Sequence, residues 1–247
     1  MEDKLTTEKY WESYYKHSHV NKKHITTVCS YYDRIWNVFI KDNDEKKSVI
    51  EIGGFPGRYL AYQYKLKPTC LDYNSYITQI EGSFKVMDVP KYHIVQEDFT
   101  KFKPQTSYDY VMSNGFIEHF ENYDTILDLH VKYMSDQGRL LVMIPNMRGY
   151  IKFYKYMVDY KNLKVHNLKC MKLQVFENFA KRNNLSLLFL DYYGGFPLGV
   201  HQKNNLIQKL IYKGHRLFFK YFANEILEKH SSKYFSSAIV GIFEKKK

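Results

Sequence analysis

The sequence predicts an α/β fold: a doubly wound, seven-stranded mixed sheet with helices on both faces and an N-terminal helical cap. Short β-rich apolar runs recur at 48–52, 69–72, 93–97, 108–113, 139–144, 186–192 and 238–243. Segments of helical period separate most of them, and near-continuous apolar strands joined by helices imply a parallel sheet covered on both faces. The last two runs flank a long basic amphipathic stretch, 205–230, and a final strand inserted antiparallel makes the sheet mixed.

The elements follow in order. Residues 6–39 read as one or two aromatic-rich helices, with Thr6 or Thr7 available as a hydroxyl cap. Residues 57–65 form a short helix. The segment 76–86 places Ile77, Ile80 and Phe84 on one face, 123–134 does so with Ile126, Leu127, Val131 and Met134, and 173–181 with Leu173, Phe176, Phe179 and Ala180. No repeat or low-complexity linker interrupts the chain, so 1–247 reads as a single domain. Within it, 1–45 is the cap, and 147–169 and 205–230 are additions to the core.

Composition narrows the class. Of 247 residues, 45% are apolar and 26% charged, the balance of a soluble globular protein. No run approaches the ~18–20 apolar residues that a membrane span needs. The charged, aromatic N-terminus has no apolar h-region, so no secretory signal is expected. Cys29, Cys70 and Cys170 are odd in number, far apart and in no metal-ligand spacing; a reducing cytoplasm suits them, and no metal site is expected. The formal charge of +11 has two readings. It can attract nucleic acid, anionic lipid or a phosphorylated substrate. Alternatively it reflects a bias toward Lys, Tyr, Asn and Ile, which the scattering of the lysines favours; the one dense basic tract is Lys245, Lys246 and Lys247.

The most informative segment is Val49-Ile50-Glu51-Ile52-Gly53-Gly54-Phe55-Pro56-Gly57. An apolar strand ends in an acid, then a glycine-rich turn, then a helix. In open α/β sheets the ligand sits at the carboxyl ends of the strands, where strand order switches. Glycines there let backbone approach the ligand. This run resembles motif I of the class I S-adenosylmethionine-dependent methyltransferases. Glu51, Gly53 and Gly57 match the motif, Gly54 fits the permitted second glycine, and Phe55 stands where the middle glycine usually is. No Gly-Lys-Ser/Thr follows, which excludes a Walker loop, and no Gly-x-Gly-x-x-Gly supports a dehydrogenase.

Three later strand ends extend the resemblance. The second ends in Asp72-Tyr73, where an acid would hold ribose hydroxyls. The third ends in Glu97-Asp98-Phe99, similar to the family's acid and apolar residue that bind and cover adenine. The fourth ends in Ser113-Asn114-Gly115-Phe116-Ile117-Glu118-His119, similar to a Glu-His element of small-molecule methyltransferases. The resemblance covers about residues 48–192 and implies a Rossmann-like methyltransferase fold with S-adenosylmethionine as cofactor. It assigns cofactor binding to Glu51, Gly53, Gly54, Phe55, Gly57, Asp72, Tyr73, Glu97, Asp98, Phe99, Asn114, Gly115 and Phe116. Tyr10 and Tyr14, in an aromatic leading helix, either stack near the sulfonium or pack in the core.

A hydroxyl acceptor needs alignment and a proton acceptor. His119 is the first candidate base or positioning group, with packing around the cofactor as the plainer alternative. His166, in Val165-His166-Asn167-Leu168, is the second, with a helix-capping turn as its alternative. Asn146, Arg148 and Tyr150 after the fifth strand, Asn167, and the N-terminal His19 and His24 are candidate substrate contacts. His17, His19 and His24 form no convincing metal set.

Absences guide the choice of acceptor. There is no Asn/Asp-Pro-Pro-Tyr/Phe after strand four, no Pro-Cys nucleophile, no recognisable catechol-type metal acids and no paired glutamates of the protein-arginine pattern. The remaining resemblance is to small-molecule methyltransferases, including those acting on sugars and surface-polysaccharide precursors. The expected acceptor is a hydroxyl of a sugar or of a nucleotide-linked or phosphorylated metabolite, with no nucleic acid partner. Two alternatives stay open: an RNA- or lipid-modifying enzyme docking through 205–233, and a non-catalytic methyltransferase-like scaffold. Oligomeric state is open.

Overall fold

The structure is a computed structural model describing residues 4–16, 21–41, 47–53, 57–74 and 77–246, with backbone alone for 14–16. Gly54, Phe55, Pro56, His17, His19 and the side chain of Tyr14 lie outside the described residues.

Three helices lead the chain, α1 (Glu8–Lys16), α2 (Lys22–Ser30) and α3 (Asp33–Phe39). Then come β1 (Ser48–Ile52), α4 (Gly57–Tyr64), β2 (Lys67–Leu71), α5 (Ile77–Val86), β3 (His93–Val95) and β4 (Tyr108–Asn114). A 3-10 turn (Ile117–His119) leads to α6 (Tyr123–Val131), β5 (Met134–Pro145), α7 (Gly149–Val158), α8 (Tyr160–Lys164), α9 (Leu173–Arg182) and β6 (Leu185–Tyr193). The chain ends with α10 (Leu206–Phe218), a π-helical turn (Phe219–Ala223), α11 (Asn224–Lys229) and β7 (Ala238–Lys245).

The seven strands form one sheet in the order β3-β2-β1-β4-β5-β7-β6. The first five run parallel, and β7 inserts antiparallel between β5 and β6. This is the Rossmann-like mixed sheet that the alternating pattern predicts. Side chains alternate across it with period two. From β5, Leu140, Val142 and Ile144 join one buried cluster with Phe176, Phe179, Ile126 and Leu127. Leu141 and Met143 join the other, with Trp36, Phe39, Leu60 and Phe84. Both faces are therefore dry, which explains why the strands read as continuous apolar runs.

Two elements differ from the sequence expectation. The helix predicted over 123–134 stops at Val131, and Met134 opens β5. Strand pairing overrides the helical period there: the Tyr108 N–H donates to the Tyr133 carbonyl at 2.8 Å, and Tyr108 pairs with Met134. The N-terminal stretch forms three helices. A turn at Tyr31–Tyr32 breaks it, and the indole N–H of Trp36 donates to the Cys29 carbonyl at 2.8 Å, so α2 and α3 pack into the core. Cys29, Cys70 and Cys170 are free and buried. Among the described residues no helix is long and apolar enough to cross a membrane.

Candidate active site

β1 connects outward to β2, while β4 pairs with the other side of β1, so strand order switches between β1 and β4. A crevice opens there at the strands' carboxyl ends. Gly53 (φ +63°) and Gly115 (φ +66°) make it possible. Both hold left-handed backbone directly after β1 and β4, a conformation that disfavours side chains. A Cβ on Gly53 would also meet Phe116 Cδ2 at 2.6 Å.

Eight of the residues that the sequence assigns to the cofactor line this crevice: Gly53, Asp72, Tyr73, Glu97, Asp98, Phe99, Gly115 and Phe116. Three do not. Glu51 is 1% exposed and packs against Gly57, where a Cβ would come within 2.6 Å of its Oε2. Gly57 is thus a packing requirement of the Glu51 carboxylate, and Asn114 is the final residue of β4, paired with Met143. Tyr10 sets its ring edge-on to Trp11 at 5.2 Å, and Trp11 is the one that reaches the crevice.

Lys4, Thr6 and Trp11 complete the wall from the N-terminal segment. The Leu5 N–H donates to the His119 carbonyl at 2.7 Å, and Lys4 bridges antiparallel to Phe120. This brings Lys4 Nζ to 2.7 Å from Asp98 Oδ2. Burial alone would raise the Asp98 carboxyl, but Lys4 and Thr100 outweigh it and hold it below the usual carboxylate range. Asp72 is shifted upward: burial dominates, and the Asn74 N–H at 2.9 Å and the charge of Arg58 offset it only in part. No sequence signal marks Lys4, because a single lysine in a charged terminus has no pattern.

The turn after β4 carries a second polar group. His119, predicted in the first turn of a helix, sits in the 3-10 turn and lines the crevice. Its Nδ1 lies 2.9 Å from the Val165 carbonyl, and Nδ1 of His166 lies 2.6 Å from the Asn162 carbonyl. Carbonyls only accept, so both rings carry their proton on Nδ1 and keep Nε2 as an acceptor. The two rings are 4.6 Å apart, and Glu118 Oε1 is 3.8 Å from His119 Nε2. Burial, with the neighbouring His166, pushes His119 down to about 3, and burial pushes His166 down to about 4. Burial pushes Glu118 up to about 8, and its Oε2 has no hydrogen-bond partner. At neutral pH all three groups are uncharged. Glu118 was singled out in the sequence only as part of the Glu-His element; its adjacency to His119 was the available signal.

The predicted substrate contacts are placed elsewhere, apart from Asn167. Asn146 is fully buried, and its amide N–H groups bridge to the Lys233 and Ser236 carbonyls at 3.1 and 2.9 Å while its oxygen accepts from the Arg148 N–H. Arg148 donates to the Met171 carbonyl. Tyr150 hydrogen-bonds His215 Nε2 at 2.9 Å, joining α7 to α10. His24 is exposed on α2, where its backbone N–H donates to the Asn21 cap. None of these four lines the crevice. Asn167 acts on the site from behind: its backbone N–H donates to the Glu118 carbonyl at 2.7 Å, and its side chain to the Phe120 carbonyl at 2.9 Å.

A family model described as a methyltransferase domain matches residues 21–188. Solved structures agree in fold. A SAM-dependent methyltransferase from Archaeoglobus fulgidus aligns with TM-score 0.57 at 18% identity, over 90% of this chain and 94% of its own. Coclaurine N-methyltransferase, bound to N-methylheliamine and SAH, gives 0.56 at 16% identity over 93% and 75%. The cyclopropane synthase MmaA2 from Mycobacterium tuberculosis gives 0.56 at 13% identity over 88% and 84%. No curated protein matches the sequence. Fold and crevice define an S-adenosylmethionine-dependent methyltransferase. The chain belongs to the methyltransferase-domain family.

Two outcomes follow from the site's construction. Asn146→Ala removes the donors of two carbonyls and should cost about 1–3 kcal/mol in urea unfolding, with S-adenosylhomocysteine affinity unchanged. Glu118 binds its proton more tightly folded than unfolded, so the folded chain holds more protons between the unfolded value of 4.5 and about 8. Stability of the ligand-free protein should therefore fall as pH rises through that window, and Glu118→Gln should flatten the profile.

Proposed function

We propose that this methyltransferase acts on an oxygen of a small polar acceptor, a hydroxyl of a sugar or of a nucleotide-linked or phosphorylated metabolite. The observation that carries the reading is His119 in the wall of the same crevice as Gly53, Asp72 and Phe99, with Nε2 left as an acceptor beside Glu118 and His166. A hydroxyl must lose a proton during transfer, and a neutral imidazole within reach can take it.

On this reading Gly53 and Gly115 let backbone approach the cofactor, with Glu51 packed against Gly57. Asp72 takes the ribose hydroxyls, while Asp98 and Phe99 take adenine, with Glu97, Tyr73 and Phe116 around it. His119 is the acceptor-side base, and His166 orients it. The +11 charge favours an anionic acceptor. Asp72→Ala should weaken S-adenosylhomocysteine binding roughly tenfold, the loss of a charge-assisted hydrogen bond. His119→Ala should lower kcat about 10²-fold or more with cofactor affinity kept. Methyl transfer measured across nucleotide sugars and sugar phosphates tests the acceptor; turnover of RNA with none of the sugars would overturn it.

A second reading, an acceptor presented at an anionic lipid surface, is favoured by α10. The inner face of the 205–230 segment packs on the domain at Phe219, whose ring stacks on Phe196 at 3.9 Å. The outer face is open: Leu206, Leu210 and Phe222 are 75%, 62% and 71% exposed. At 3.6 residues per turn, Leu206, Leu210 and Leu217 share an arc bordered by Lys209, Lys213 and Arg216. An apolar arc with a basic border suits a helix lying in a negatively charged bilayer surface. Vesicles containing phosphatidylglycerol should retain the protein and phosphatidylcholine vesicles should not, with Leu210→Glu abolishing retention. A dimer that Leu210→Glu dissociates, or RNA binding without vesicle binding, would overturn this reading.

A further inference from the structure

We infer that Glu118, His119 and His166 form a binding site for one divalent first-row transition-metal ion at the acceptor side of the crevice. One ligand atom from each residue lies within 4.8 Å of the others. Two ligands at a tetrahedral angle stand about 3.4 Å apart at ordinary bond lengths of ~2.1 Å, so side-chain rotations that bring the three atoms closer by about 1 Å close the set.

Three features point to a ligand set rather than a packed polar core. Each imidazole has its Nδ1–H committed to a backbone carbonyl, Val165 for His119 and Asn162 for His166. Such outer hydrogen bonds fix the tautomer that exposes Nε2 to a metal. The Glu118 carboxylate is 1% exposed and its Oε2 has no hydrogen-bond partner, a cost that a cation would remove. The segment is also held in place: Asn167 binds the Glu118 and Phe120 carbonyls, and the Asn162 side chain is anchored on the buried Asp159, itself paired with Lys155. Sequence spacing carries no sign of the set, because Glu118 and His119 are adjacent and His166 lies far along the chain.

The donor set chooses the metal. Two imidazoles and one carboxylate suit Zn²⁺, Mn²⁺, Fe²⁺ or Co²⁺, whereas Mg²⁺ and Ca²⁺ prefer oxygen alone. Three protein ligands leave coordination positions open, and His119 lines the crevice, so an acceptor oxygen can complete the shell. This role rests on the methyl-transfer reading above and replaces the imidazole base in it, because His119 Nε2 is then a ligand of the ion. The ion lowers the hydroxyl pKa, and the proton passes to water. The oxygen lone pair forms the O–CH₃ bond as the S–CH₃ bond breaks, and that bond's electron pair stays on sulfur, giving S-adenosylhomocysteine.

The test is a Co²⁺ titration of untagged, chelator-stripped protein, followed by visible absorption, beside an S-adenosylhomocysteine thermal-shift series. One Co²⁺ per chain is expected, displaced by Zn²⁺. Glu118→Gln and His166→Gln should each weaken it at least tenfold, with circular dichroism and the S-adenosylhomocysteine shift unchanged. Two variants are used so that a fold defect in one leaves the other to decide. No saturable band, or a band that both folded variants retain, would overturn the metal site and leave methyl transfer standing. A chain that binds Co²⁺ stoichiometrically but is not stabilised by S-adenosylhomocysteine would keep the site and overturn the acceptor role.

Discussion

The turn that leaves β4 is the constraint on which the site depends. Gly115 must hold φ +66°, so the chain can swing from the strand end back across the sheet. Within five residues it delivers Phe116 and His119 to the crevice and Glu118 to the interior. A short 3-10 turn has too few internal hydrogen bonds to hold that shape alone. Neighbouring chain supplies the rest: the Leu5 N–H on the His119 carbonyl, and Asn167 on the carbonyls of Glu118 and Phe120. Segments far apart in sequence therefore meet at one turn and fix it.

That turn carries chemistry that a core normally rejects. Charging Glu118, His119 or His166 where they sit would cost several kcal/mol without compensation, and burial holds all three neutral. Neutrality shapes function. Imidazoles pushed down to about 4 or below are uncharged throughout the neutral range and remain available as acceptors or ligands. A lone histidine with so low a value is a weak proton acceptor, whereas a cation held at its Nε2 would activate the hydroxyl in its place.

Much of the fold was legible because burial on both sheet faces imposes its own pattern. All seven predicted runs coincide with strands, and β1 matches to the residue. The strand-end acids and glycines were legible for a related reason: a parallel sheet puts every such loop at one edge, so sequence order predicts spatial convergence. Long-range contacts were not legible. Asn146 and Tyr150 have polar groups at a strand exit, which is where substrate contacts occur, yet each is consumed by the 205–236 segment, whose docking no local pattern encodes. The outer face of α10 misled in the opposite sense. Its apolar period predicts burial, but only the opposite side, at His215 and Phe219, meets the domain.

Lys4 sets the energetics at the Asp98 end of the crevice. Asp98 Oδ1 accepts from the Thr100 N–H and hydroxyl, and Oδ2 accepts from Lys4. An adenine amino group directed at Asp98 would have to share Oδ2 with the lysine or displace it. Displacement gives up a partly exposed ion pair, worth little in water, together with the strap of Lys4 and Leu5 against the turn at His119 and Phe120. Sharing keeps both, and the carboxylate has lone pairs for it. Since the same strap carries Thr6 and Trp11 into the crevice wall, a ligand that left Lys4 in place would keep the His119 end assembled, and the Lys4–Phe120 and Leu5–His119 contacts join the two ends of the crevice.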